Sequence, residues 1–244
     1  TQRSCIWATH HSSKYSKIDD LLVIKERSKD ENGVERSTTK FIKNYQRPYW
    51  ITKPGCRNHK QKRMHESMDN MTRYETTQSG MALHASKILG LHAPNGYIPL
   101  SEVNREPYVY GTDVTSPVLV KQAYMARWPN YMPVARIAAA DYETDMINHH
   151  EDDQVIISGA ISMKDKWVIA VKKSFIEGEP DPEVQFRRLV DKHLKDFAEK
   201  RNATIEFIIC DTEIDVVKAI MGKAHSWEPD YLCFWNMAFD IKAM

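Results

Sequence analysis

Two acidic motifs, at positions 141–143 and 236–240, contain the residue types best suited to chemistry in this chain. Asp141 and Glu143 close the apolar run 134–140, which predicts a buried strand. Side chains alternate across a strand, so both carboxylates are expected on one face, with Tyr142 on the other. Adjacent carboxylates repel each other unless a cation lies between them, and an oxygen-only site favours hard divalent cations such as Mg²⁺.

The second motif could add a third carboxylate to the same place. Asn236-Met237-Ala238-Phe239-Asp240 follows another apolar run, 231–235, so Asp240 comes shortly after a second predicted strand. Three converging carboxylates suit two-metal hydrolysis of a phosphodiester. Asp141 and Glu143 alone are better interpreted as two surface acids at a strand end. With Asp240 included, a metal site becomes the favoured interpretation.

The two motifs together resemble the first two exonuclease motifs of family B DNA polymerases, especially the viral and bacteriophage type. The likeness consists of Asp-x-Glu ending a strand, then Asn-x-x-Phe-Asp after a later strand, with Trp235 directly before Asn236. Upstream, residues 25–36 resemble the early hairpin of these polymerases, and residues 108–113 resemble the stretch leading into their exonuclease domain. The resemblance covers most of the chain in outline, but only the two acidic motifs match the family closely.

The resemblance implies a metal-dependent 3′-5′ proofreading exonuclease. Asp141, Glu143 and Asp240 would hold two ions, Mg²⁺ or Mn²⁺, one activating a water and the other stabilising the leaving 3′ oxygen. Asn236, Phe239 and Thr144 would contact the frayed single-stranded 3′ end of DNA. A turn cap at Asn236 and a core role for Phe239 are equally good interpretations. The family often has one more residue between this Asn and the Phe-Asp pair.

The resemblance also implies a larger enzyme. Family members have a third exonuclease motif, Tyr-x-x-x-Asp, and then a palm domain, whereas this sequence ends at Met244, just past its second motif. The chain is therefore expected to be the N-terminal and exonuclease portion of a replicative DNA-directed DNA polymerase, a nucleotidyltransferase that uses dNTPs through the missing domain. A C-terminal continuation or a second polypeptide would supply the rest. The isolated chain is expected to bind metal weakly and cut poorly.

Two other functions stay open at this point. One is a stand-alone DnaQ-like 3′-5′ nuclease, which the incomplete domain disfavours. The other is a non-catalytic DNA-binding scaffold subunit of a split polymerase. A downstream Tyr-x-x-x-Asp and palm motifs, in either this polypeptide or a partner, would distinguish them from the polymerase.

The expected fold class is α/β, with an α+β N-terminal domain at 1–132 and a ribonuclease-H-like exonuclease domain at 133–244 that is incomplete at its C-terminal end. In the second domain, Asp181 and Pro182 predict the N-cap and first position of a helix. Another helix, capped by Asp211 or Thr212, is expected to bury Ile214, Val217, Ile220 and Met221. The wholly apolar run 231–235 predicts a strand buried on both faces. The other predicted strands of this domain are 134–141, 155–161, 167–171 and 204–209.

The first domain is expected to consist mainly of short strands. Asn32-Gly33 is a strong hairpin signal between strands at 19–26 and 38–45, and a further strand follows at 48–52. A helix is predicted over 81–89, ending at Gly90. The spacing of Met64, Met68 and Met71 predicts an amphipathic helix over 57–75 with these methionines in the core. Residues 91–133 are expected to form loops with short strands.

Charge is distributed unevenly along the chain. Residues 1–63 contain 15 Lys and Arg against 6 Asp and Glu, whereas residues 141–244 contain 13 against 21. A basic segment attracts phosphate, and metal ions would reverse the local field of an acidic one. A solvated surface is an equally good interpretation of any single basic run. The candidates for contacts with the phosphates of a primer-template are Lys53, Arg57, Lys60, Lys62 and Arg63.

The sequence predicts no membrane-spanning helix, because no apolar run approaches the roughly 18 residues that such a helix requires. The four cysteines are far apart and include no Cys-x-x-Cys pair, which is typical of reduced thiols. The expected location is therefore the cytoplasm, either of a host cell or in a phage replication compartment.

Overall fold

The computed structural model describes residues 1–12, 20–92, 96, 98–145 and 155–244. The chain forms two compact units, Thr1–Pro133 and Val134–Met244. Each unit combines β-sheet with α-helices, so the chain is a mixed α/β protein. In the described ranges, no helix combines the length and apolar character that a membrane crossing requires.

The first unit opens with an antiparallel sheet of three strands, β1 (Gln2–His11), β2 (Leu21–Lys29) and β3 (Glu35–Lys43), in that order. The predicted hairpin is confirmed. Gly33 has φ 81°, a conformation that glycine adopts without strain. The Asp30 carboxylate accepts the N–H groups of Asn32 and Val34, both at 2.9 Å, and so closes the turn.

Among its described residues, the first unit also contains a second three-stranded sheet and three α-helices. The elements are β4 (Arg47–Thr52), β5 (Met71–Thr76), α1 (Met81–Leu89), α2 (Leu100–Val103), β6 (Val109–Tyr110) and α3 (Ser116–Arg127). The sheet order is β5-β4-β6, and its core includes Tyr49 and Ile51 packed with residues of α1 and α2. The helix predicted at 81–89 is confirmed, including its end at Gly90 with φ 69°.

The helix predicted over 57–75 is wrong. Only a single 3-10 turn, Met68–Asn70, forms there, and residues 71–76 belong to β5, which pairs with β4. Met64 is 91% exposed and Met68 is 61% exposed, so their helical spacing does not correspond to a core face. Strand pairing of Met71 with Thr52 overrides the weak helical periodicity.

Glu26 anchors the inner face of the first sheet. It is almost fully buried, and its carboxylate accepts hydrogen bonds from Arg3 at 2.7 Å, from Lys40 at 2.6 Å and from the Tyr124 hydroxyl. Burial opposes the charged form, but the hydrogen bonds from Lys40 and Tyr124 outweigh it, so the pKa of Glu26 is lowered from 4.5.

Glu26 is therefore expected to stabilise the first unit above pH 4.5 and to lose this effect as the pH falls below that value. Stability rises with pH because Glu26 binds its proton less tightly in the folded state than in the unfolded state. Denaturant unfolding should give Glu26→Gln a clearly lower free energy of unfolding than the wild type at neutral pH. This difference should shrink in acid. The exposed Glu31→Gln serves as control, and a difference that stays constant with pH would contradict the assignment.

The second unit has a five-stranded sheet in the order β10-β9-β8-β7-β11. β8 runs antiparallel to both neighbours, whereas β9 pairs with β10, and β7 with β11, in parallel. The elements are β7 (Ile137–Thr144), β8 (Ile156–Met163), β9 (Lys166–Lys172), α4 (Pro182–His193), α5 (Lys195–Arg201), β10 (Thr204–Cys210), α6 (Glu213–Trp227), β11 (Tyr231–Phe234) and α7 (Met237–Ala243).

The helix starts of the second unit agree with the predicted caps. The Asp181 side chain accepts the N–H of Val184 at 3.1 Å, with Pro182 as the first residue of α4. Thr212 caps α6 by accepting the N–H of Asp215 at 3.3 Å. A side-chain oxygen at the N-cap pairs a backbone N–H that the helix itself leaves free.

The predicted burial of α6 and β11 is wrong in part. Of the predicted helix residues, Ile220 is buried, but Ile214 is 61% exposed and Met221 is 37% exposed. The buried face instead contains Val216, Ile220 and Ala224, spaced at four residues, against the sheet core. In β11 only Leu232 and Phe234 pack on that core, whereas Tyr231 and Cys233 are exposed, so just one face of this strand is covered.

Candidate metal centre

The two acidic motifs meet where β7 lies beside β11. The parallel pairing of Ala140 with Phe234 places the end of β11 next to Asp141 on β7. The chain then turns into α7, whose first turn contains Asp240. Asp141 lies inside β7 and not at its end, because the pairing with β8 continues through Glu143.

Tyr142 fixes the position of this part of β7. Its buried ring lies over Gly159, its register partner on β8. A Cβ added at Gly159 would come within 2.8 Å of the Tyr142 ring and 3.1 Å of Ile220, so any larger residue would displace the ring. With Tyr142 held on the covered face, alternation directs Asp141 and Glu143 to the opposite face of the sheet.

Asp240 is fully buried, and its two oxygens join α7 to β7. Oδ1 accepts the N–H of Tyr142 at 3.1 Å, and Oδ2 accepts the N–H of Asn236 at 3.2 Å. Each carboxylate oxygen has a further lone pair. Asp240 is thus oriented by backbone groups and retains acceptor capacity for a cation.

Asp141 is half-buried and its carboxyl lies in hydrogen-bonding contact with that of Asp240. Burial raises the pKa of Asp141 from 3.8, and the negative charge of Asp240 raises it further. Two carboxylates in contact resist being ionised together. A proton relieves this repulsion, and a divalent cation would relieve it as well, by displacing the proton.

Glu143 shares a face of β7 with Asp141 but is exposed to solvent. Two residues along a strand correspond to about 6.6 Å between Cα atoms. Across the described ranges, no group of three or more His, Cys, Asp or Glu side chains is close enough to hold a metal ion. The arrangement is therefore a contacting pair, Asp141 and Asp240, with a third acid nearby on the same face.

The residues expected to contact a DNA strand lie around this pair. Asn236 occupies the N-cap position of α7 with an exposed side chain, which makes no cap hydrogen bond. Thr144 ends β7, half-buried, after a register shift that follows Glu143. Phe239 lies on α7, and its side chain is outside the described part of the structure. Their role in binding single-stranded DNA stays a prediction.

An open trough of about 510 Å³ extends from Asp141 over the uncovered face of the sheet. Small side chains form its floor, which lets a ligand approach the backbone closely. Sequence reasoning missed most of this lining, because the face to which each residue belongs depends on strand register. The residues around the trough include Ala139, Ala160, Ser162, Trp167, Arg201, Cys233 and Trp235.

The predicted phosphate-binding cations lie in the first unit, between β4 and β5. Lys53, Arg57, Lys60, Lys62 and Arg63 all belong to this irregular segment. Four of the five make contacts to protein groups: Lys53 and Lys62 to backbone carbonyls, Arg57 to a carbonyl and a tyrosine ring, and Arg63 to Glu66 and Asn58.

Comparison with protein-family models gives no match for this chain. A search among curated proteins likewise finds no significant relative.

Proposed function

We propose that residues 134–244 form a ribonuclease-H-like 3′-5′ exonuclease domain of the family B DNA polymerase kind. The order of elements supports this proposal: a three-stranded antiparallel meander, then helices and a strand, then a strand parallel to the first. The DNA polymerase itself, a nucleotidyltransferase acting on dNTPs and a primer-template, would require sequence beyond this chain. The chain would contribute proofreading to that enzyme.

One observation carries the proposal. Asp141 and Asp240, 99 positions apart in the chain, have their carboxyls in hydrogen-bonding contact, with the pKa of Asp141 raised by burial and by the neighbouring charge. Holding α7 against β7 requires only Asp240, because its carboxylate already accepts backbone N–H groups from both segments. The second acid adds repulsion, a cost that is typical of functional sites.

The donor set fits hard divalent cations, because it consists of carboxylate oxygens on an open face of the sheet. Asp141 and Asp240 would hold Mg²⁺ or Mn²⁺, which would supply an activated water and stabilise the charge on the leaving 3′ oxygen. Asp240 keeps its orientation through two backbone N–H groups. Asp141 reaches the same point from β7, and the exposed Glu143 lies nearby on the same face of the strand.

The proposal predicts excision that is dependent on metal and proceeds from the 3′ end. Incubating the purified chain at high concentration with a single-stranded oligonucleotide labelled at its 5′ end should give, with Mn²⁺ or Mg²⁺, a ladder shortened from the 3′ end one nucleotide at a time. EDTA should abolish the ladder. Slow cutting is expected from the isolated chain, but internal cleavage or a 5′-3′ ladder would reject the assignment.

A further inference from the structure

The segment between β4 and β5, residues 53–70, contains an unusual concentration of cations, and we call it the basic loop. It includes five Lys and Arg residues against two acids, Glu66 and Asp69. A short 3-10 turn, Pro54–Cys56, opens the loop, and the Tyr108 hydroxyl donates to the carbonyl of His59 at 2.7 Å. The backbone of the loop is therefore tied to the rest of the first unit.

Arg57 and Lys62 are held by groups that do not cancel their charge. Arg57 donates from Nε to the carbonyl of Thr52 at 2.9 Å, and its guanidinium lies 5.4 Å from the centre of the Tyr108 ring. Lys62 donates to the carbonyl of Asn104 at 2.9 Å, and its Nζ lies 5.5 Å from the centre of the Tyr110 ring. Carbonyls and aromatic faces orient a cation but leave its full positive charge.

The acids of the loop form no ion pair with Arg57, Lys60 or Lys62 among the described residues. Glu66 forms an ion pair with Arg63 at 3.4 Å, and the same carboxylate contacts the Nε2 of His59 at 3.4 Å. Lys53 contacts Asp69 through the backbone carbonyl of that residue, at 2.7 Å. Among the residues that the structure describes, no ion pair involves Arg57, Lys60 or Lys62. Three positive charges of the loop, close together in sequence, thus have no ion-pair partner in the described part of the chain.

We propose that Arg57, Lys60 and Lys62 bind the phosphodiester backbone of a nucleic acid strand. The Nε of Arg57 is already used, so its two terminal amino groups remain to donate to two oxygens of one phosphate, a geometry that guanidinium provides and ammonium does not. Lys60 and Lys62 add point charges for flanking phosphates. Because two cations are pre-positioned, less conformational entropy is lost on binding.

The site binds without regard to base sequence. The Tyr108 ring is flanked by Arg57 and by the His59 ring, whose centre is 5.1 Å away. These neighbours occupy the ring surface on which a base would stack. Phosphate contacts alone position a strand and carry no sequence information. This binding site belongs to the first unit and is independent of the proposed exonuclease.

The test measures binding of fluorescein-labelled oligothymidylate, and of a labelled mixed-sequence duplex, to the full chain in EDTA over about 50–200 mM salt. The variant combines Arg57→Gln, Lys60→Gln and Lys62→Gln. Three lost phosphate contacts should reduce the single-strand salt slope by about 2 and the affinity by about 100-fold near 0.1 M salt. The duplex should lose affinity as well, because the backbone phosphates are the ligand.

A charge-matched control removes three exposed cations elsewhere in the first unit: Arg36→Gln, Lys43→Gln and Lys87→Gln. It should change the affinity far less. Lys60→Gln alone, which breaks no contact within the described residues, should reduce single-strand affinity about fivefold, so a misfolded loop cannot account for the result. Equal losses in both triple variants, or polyglutamate displacing the oligonucleotide as effectively as unlabelled DNA does, would overturn the proposal.

Discussion

Replacing Asp141 with Asn is expected to reduce the rate of 3′-5′ excision by more than about 100-fold. Losing a residue that only orients a metal ligand typically costs about 10–100-fold, and Asp141 is proposed to be a ligand itself. Asn retains the size of the side chain and one acceptor oxygen but loses the negative charge. The half-buried Asp141 is repelled by Asp240, so the substitution removes a repulsion and should leave the metal-free fold at least as stable. Excision rates and melting temperatures, measured on the same preparations, check both expectations.

The control for this substitution is Asp165→Asn, in the exposed turn between β8 and β9. It removes the same charge from the same sheet without touching the acidic pair, and its excision rate should equal that of the wild type. Asp240→Asn is a poorer test. The Asp240 carboxylate also accepts hydrogen bonds from the N–H groups of Tyr142 and Asn236, so its substitution would disturb the fold as well. Equal activity of Asp141→Asn and Asp165→Asn would reject the catalytic assignment.

Replacing Arg47 with Ala is expected to destabilise the first unit by about 4 kcal/mol, within the range for breaking a buried charged network. The Arg47 side chain is fully buried. Nη2 donates to the carbonyl of Thr112 at 2.7 Å, and Nη1 donates to Gln78 at 2.7 Å and to the carbonyl of Val114. Its removal leaves the carbonyls of Thr112 and Val114 without this donor in the interior, although Gln78 keeps the N–H of Ser116, and it creates a cavity.

Hydrogen exchange during denaturant unfolding can measure this loss separately for each unit. Amides of β4 and α3 should exchange much faster in Arg47→Ala, whereas those of β7 and β8 should not change. The exposed Arg73→Ala, whose side chain pairs with Glu75 on the surface, is the matched control and should have little effect. A similarly small effect of Arg47→Ala would mean that the 111–114 segment is held by other contacts.

The features that the sequence predicts correctly depend on neighbouring residues alone. Asp181-Pro182, Gly90 and Asn32-Gly33 each specify a cap or a turn through their own backbone preferences and side-chain acceptors. The prediction of a helix over 57–75 is wrong because Met71 pairs with Thr52 on another strand, and such pairing cannot be seen in the local sequence. Helix α3 was missed for the same kind of reason, because its contacts are with the distant strands β1 and β2.

The candidate site was predictable in its residue types but only partly in its geometry. The apolar runs before each motif indicate two strands, which is enough to suggest that Asp141 and Asp240 approach each other. Strand register then decides the remaining detail. It places Asp141 inside β7, extends the strand beyond Glu143, and directs Glu143 toward solvent. The same limit applies to the basic loop, where charge was visible but the carbonyl and ring partners of Arg57 and Lys62 were not.

The most direct test of the acidic pair is a titration of the chain with Mn²⁺, following free ion by electron paramagnetic resonance. The wild type should bind Mn²⁺, and in mildly acidic buffer it should release protons as it does so, because the raised pKa of Asp141 favours a proton that the cation displaces. Asp165→Asn should behave like the wild type, and Asp141→Asn should lose both the binding and the proton release. Equal Mn²⁺ binding by Asp141→Asn and the wild type would contradict a metal site at this pair.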